Sequence, residues 1–184
     1  MKNLMTQNTL FRRAALTSAV VAGGLMAVNG MAADDDADIS ATVVVPITID
    51  NVVDMNFGSF SAPTGAASTI TLGTGGGLTP GAGVVVIDDT AAAAARFDIS
   101  GLASQAFSIT IAATVTLTET VGGVATMDLT TSWDDDGAAE NNAVSSSLDV
   151  VGEASVFIGG ELAVAQNQLA GDYAGTVNAA FEYE

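Results

Sequence analysis

Carboxylates dominate the side chains in this sequence that could do chemistry. In SWDDDGAAE, Ser132, Asp134, Asp136 and Gly137 follow the spacing of a calcium loop, where oxygen ligands alternate with spacers and a glycine makes the turn. A full loop of that type ends in a bidentate Glu at its twelfth position, and that Glu is missing here. The pattern leaves weak calcium binding over residues 134–140 open, and no metal site is assigned. The acidic run DDDAD (Asp34 to Asp38) reads as a solvated tail.

Acid–base and nucleophilic catalysis find less support. The chain has no histidine and no cysteine, and its one lysine is Lys2. No serine therefore has an ordinary base to activate it. Arg96 and Asp98 lie two residues apart and read as a surface pair on one strand face. The glycine loop GTGGGLTPGAG (Gly73 to Gly83) lacks the Gly-Lys-Ser/Thr ending of a phosphate loop and does not fit the dinucleotide fingerprint. It reads as a strand connection. The expectation is a protein that is not an enzyme and takes no cofactor.

Charge and the N-terminus narrow the setting. Lys2, Arg12 and Arg13 are followed by an apolar run of fifteen residues, Ala14 to Val28, and then by the small residues of GMAA. That order predicts a helical signal peptide over residues 1–33 and export to the periplasm or cell surface of a bacterium. The run is short for a membrane span, which needs roughly 20 apolar residues, so no membrane partner is expected after cleavage. All 21 acidic residues lie at or beyond Asp34, where Arg96 is the single basic residue, so this part carries a net charge of −20. Such a surface has no patch for nucleic acid. Without disulfides it must hold itself by core burial or by assembly.

The elements that would position any site read as strands. From Asp34 on, short runs with a two-residue beat are separated by Gly, Asp, Asn, Ser and Thr. The clearest is FSITIAATVTLTE, with Phe107, Ile109, Ile111, Val115 and Leu117 on one face. Trp133 ends another alternating run and reads as a core plug. The run of alanines from Ala91 to Ala95 is too short to nucleate a helix alone. Roughly nine to ten strands are expected in one domain, residues 34–184, at the spacing of a sandwich or barrel.

The last strand is GDYAGTVNAAFEYE, with Gly171, Tyr173, Val177, Phe181 and Tyr183 alternating against Asp172, Asn178 and Glu182. Together with ATVVVPITIDNVVDMNFGSF, FDISGLASQAFSITI and GGELAV, it resembles a family of secreted bacterial proteins known as domain of unknown function 4402. That family looks related to spore-coat-U-like proteins and to pilins of the chaperone–usher pathway. The resemblance implies an all-β, immunoglobulin-like (pilin-like) sandwich. Pilins typically end in an alternating strand with a Gly fourteenth from the end and an aromatic residue second from last, the places of Gly171 and Tyr183.

By that resemblance, Gly171, Tyr173, Val177, Phe181 and Tyr183 are the contact for a partner strand. The partners implied are a periplasmic chaperone and identical or related subunits. The function implied is a structural subunit of a surface fibre, pilus or coat, assembled by β-strand complementation. A donor strand would come from the alternating set Ile39, Val43, Val45 and Ile47. Pro46 opposes this, because a strand between two neighbours needs its backbone N–H groups. Residues 41–50 would otherwise be the domain's own first strand, bent at Pro46. The alternative function is a self-complete secreted binding module, adhesin-like, taking surface glycan on the loops around Gly73–Gly83 and Asp134–Ser147.

Overall fold

A computed structural model describes residues 35–137 and 140–184. The expected signal peptide, residues 1–33, lies outside the described residues. These fall in two units, 35–41 and 42–184. Residues 35–41 form no regular secondary structure and are exposed.

In the second unit, strands account for all regular secondary structure among the described residues. They are β1 (Thr48–Val53), β2 (Ser59–Ser61), β3 (Ser68–Leu72), β4 (Leu78–Pro80), β5 (Val85–Asp88), β6 (Ala95–Ser100) and β7 (Ala106–Ile111). There follow β8 (Thr114–Glu119), β9 (Thr126–Asp134), β10 (Ser145–Ser147), β11 (Glu153–Val164), β12 (Tyr173–Ala174) and β13 (Ala179–Tyr183). The excess over the expected strands is in pieces of two to four residues, too short to show a beat in the sequence.

The protein is all-β, as expected, and every ladder is antiparallel. The large sheet runs β1-β6-β11-β9-β8-β12. Off that path β3 pairs β11 and β4 pairs β3, making eight strands, and a sheet of three, β10-β7-β13, and the pair β2-β5 complete the ladders. The neighbours β1-β6-β11-β9 on one side and β7-β13 on the other follow the A-B-E-D and C-F order of an immunoglobulin-like sandwich. No seventh strand lies beyond β13 among the described residues.

β11 is the axis of the large sheet. Its first half pairs β6, its second half pairs β3, and β9 runs along its other side. Gly159 and Gly160 sit where these partners meet. A Cβ at Gly159 would strike the carbonyl oxygen of Leu72, and one at Gly160 that of Thr130.

Two apolar clusters form the core. One joins Ile99, Val156 and Ile158 of the large sheet to Phe107, Ile109 and Phe181 of the small one. The Phe181 ring meets Phe107 edge-on at 6.2 Å. The other cluster joins Ile70, Leu129, Leu162 and Val164 to Phe57 and Val84. Trp133 packs against the first cluster and donates its indole N–H to the carbonyl of Ala143 at 2.8 Å.

The run from Ile39 to Ile49 does not form one element. β1 begins at Thr48, after Pro46, and pairs β6 from Thr48↔Ser100 onward. Proline offers no N–H to a ladder and restricts the residue before it. The bend expected within a strand at Pro46 is therefore the place where the strand begins. FSITIAATVTLTE likewise divides into β7 and β8 at Ala112–Ala113.

Candidate strand-docking site

The expected final strand divides into β12 and β13, which lie in different sheets with residues 175–178 outside any strand, and the two follow β8 and β7 respectively. Tyr183 faces Phe107, Phe181 faces Ile109 and Ala179 faces Ile111. Further back, Tyr173 faces Glu119. Between them, the Ala112 N–H donates to the carbonyl of Asn178 at 3.0 Å. At the far end the Glu184 N–H donates to Ala106 at 3.2 Å. Even-numbered residues thus turn their backbone groups toward β7. Because strand residues alternate, Ala179, Phe181 and Tyr183 turn theirs the other way, where no strand among the described residues pairs with them.

Two cavities open beside the residues that precede β13. The first, of about 430 Å³, lies between residues 51–57 and residues 173–177, with Phe97, Val115, Leu117 and Leu129 along it. The second, of about 650 Å³, continues between residues 55–62 and 168–173 over Met127, Leu162 and Val164. Met55, Phe57, Leu117 and Tyr173 belong to both. Their linings mix apolar side chains with Asn51, Asp54, Gln168 and Asp172, and the β13 edge lies outside both; that edge by itself suits an added extended strand.

The five expected contact residues take different roles. Phe181 is buried in its own core, and only its backbone faces outward. Val177 and Tyr173 are half-buried and line the first cavity. The Tyr173 hydroxyl donates to the Leu169 carbonyl at 2.7 Å and accepts from Gln168 at 2.9 Å. Gly171 lies against the Glu119 side chain. Tyr183 accepts the Leu102 N–H at 2.6 Å and donates to the Val45 carbonyl at 3.1 Å.

The four candidate donor residues also divide. Ile39 and Val43 are each 96% exposed. Val45 is tied to Tyr183 through its carbonyl, and Ile47 packs against the core cluster that holds Phe107 and Phe181. The pair of cavities was not read from the sequence. Its lining comes from β1, β2, β6, β8, β9, β11 and residues 168–177, and only the fold brings those positions together.

The acidic groups mostly serve the backbone. Glu119 is buried and accepts the N–H groups of Val121, Gly122 and Gly123. These bonds, that from Val121 foremost, hold its carboxyl below its ordinary value. Asp134 is fully buried and accepts from the N–H groups of Asp136 and Gly137. The Asp135 carboxylate, bonded by Ser146 and Asn141, is also held below its ordinary value, Ser146 contributing most. No group of three or more potential ligands converges among the described residues. Arg96 pairs Asp98 at 2.8 Å on the strand face, at the expected spacing, with both side chains about 40% exposed. Neither Gly73–Gly83 nor Asp134–Ser147 contributes to the two cavities.

Residues 47–183 match the family described as Domain of unknown function (DUF4402), and the chain belongs to it. No curated protein matches the chain.

Proposed function

We propose that this DUF4402 chain is an exported structural subunit of a bacterial surface fibre or coat, assembled by β-strand complementation. The observation that carries the reading is the edge of β13, where the outward backbone groups of Ala179, Phe181 and Tyr183 meet no strand among the described residues. An incoming strand would gain ladder bonds from that edge and bury its own apolar side chains. Three or four Val or Ile side chains, at ~1.5–3 kcal/mol each, would contribute on the order of 5–10 kcal/mol before ordering costs. A two-residue beat fixes the register, since a slip of one residue turns every apolar side chain to water. The kinship to pilins and spore-coat-U-like proteins, the chaperone partner and the periplasmic or surface location belong to this reading.

Gel filtration and electron microscopy of purified residues 34–184 test it. Linear multimers that survive dilution are the expected result. A monomer at every concentration, unchanged by any added strand peptide, overturns it.

A further inference from the structure

We infer that the two cavities together take an aliphatic diamine or polyamine, with its ammonium ends on Asp54 and Asp172 and its alkyl chain between them. The inference is separate from assembly, since the β13 edge lies outside both cavities. The shared lining of Met55, Phe57, Leu117 and Tyr173 joins them into one elongated cleft of small-ligand size. Residues 51–57 face 173–177 in the first cavity, and residues 55–62 face 168–173 in the second, so the walls run antiparallel. Asp54 on one wall and Asp172 on the other are therefore offset along the cleft by about three residues, or ~10 Å at ~3.3 Å per residue.

The order acid, apolar middle, acid matches the order cation, alkyl chain, cation. Both carboxylates are exposed at the rim, on positions that are held. The Asn51 amide donates to Asp54 Oδ1 at 2.6 Å, and the Asp172 carbonyl accepts the Thr120 N–H at 2.8 Å. Gln168 donates its N–H groups to Thr126 and Tyr173, which leaves its side-chain oxygen to accept from a ligand. Arg96, the single basic residue from Asp34 on, is bonded to Asp98 and Ser155 and lines neither cavity. An anionic ligand would therefore meet two carboxylates and no counter-charge. An inorganic cation would answer the carboxylates and leave Met55, Phe57 and Leu117 unused. An alkyl diamine uses both, and the aromatic faces of Phe57 and Tyr173 also attract ammonium groups.

Titration calorimetry of the full mature chain with spermidine tests this, with hexylamine and magnesium chloride as comparisons. Spermidine should bind one-to-one and more tightly than hexylamine, which carries a single charge. Magnesium, with charge and no apolar body, should not displace spermidine at equal concentration. Asp54→Asn and Asp172→Asn keep the side-chain shape, and each should weaken spermidine about fivefold, the upper end for an exposed ion pair. Asp128→Asn, at an exposed carboxylate outside both cavities, should change nothing. Thr176→Trp narrows the first cavity and should abolish binding; if it lowers the melting temperature, the two Asn variants decide. No binding of spermidine overturns the inference, and so does binding that both Asn variants retain in full. An equal loss from Asp128→Asn, or displacement by magnesium, also overturns it, because the amine is then a diffuse counterion of an acidic surface. None of these outcomes touches assembly at β13, which is read from multimer size.

Discussion

The Tyr183 hydroxyl donates to the Val45 carbonyl at 3.1 Å, across 138 positions of sequence. The same oxygen accepts the Leu102 N–H at 2.6 Å. One phenol thus ties the end of the final strand to the root of the N-terminal segment and to the turn after β6. Tyr183→Phe keeps the ring and removes both bonds, leaving the Leu102 N–H and Val45 carbonyl to find other partners. We expect a loss of about 1–2 kcal/mol, measured by urea unfolding at unchanged m-value. An unchanged midpoint would show that water replaces the hydroxyl fully.

Gly159 and Gly160 allow β11 to pass between β3 and β9 at backbone distance. Gly159→Val should cost more than about 3 kcal/mol, since the obstacle is the Leu72 carbonyl oxygen and not a side chain that can turn aside. Circular dichroism with denaturant titration reads this directly. A variant as stable as the parent would mean that the β3–β11 ladder is dispensable.

Acid should loosen the domain. Glu119, Asp88, Asp135 and Asp149 all sit below their ordinary values, because N–H and hydroxyl donors favour their charged forms. The unfolded chain then binds protons before the folded one does. The stability these groups give is complete above the unfolded range near pH 4, and it is lost as pH falls through the lower folded values. Melting temperature should fall on acidification below about pH 4. Glu119→Gln should flatten part of that slope, and a slope unchanged by the substitution would assign it to other carboxylates.

Salt should favour assembly. Copies with twenty more negative than positive charges repel one another until the Debye length shrinks, from ~30 Å at 0.01 M to ~3 Å at 1 M. Light scattering at fixed protein concentration should show larger species as sodium chloride rises. A fall in size with salt would indicate that ion pairs hold the subunits together, against the apolar contact proposed here.

Much of the sheet could be read in advance, and the reason is local. Phe107, Ile109 and Ile111 alternate because one face of β7 is dry, and their period survives any change of neighbours. The Arg96–Asp98 pair followed from spacing alone. The cavities did not, because their lining is gathered from several strands, and residues such as Leu117 and Leu129 give no sign in the sequence of which neighbours they will meet. The run from Ile39 to Ile49 misled for a related reason. A two-residue beat shows which side chains share a face, but not where backbone pairing begins, and Pro46 decided that. Short polar strands such as β10, whose three residues are all serine, carry no apolar beat.

The clasp of Tyr183 on Val45 also bears on how such a subunit would carry tension. Pull applied to the N-terminal root would reach Tyr183 through that bond. β13 lies along β7 over all five of its residues, so load on that end would be shared among its rungs in shear instead of peeling them one at a time. A chain without disulfides would owe its resistance to stretching to that arrangement.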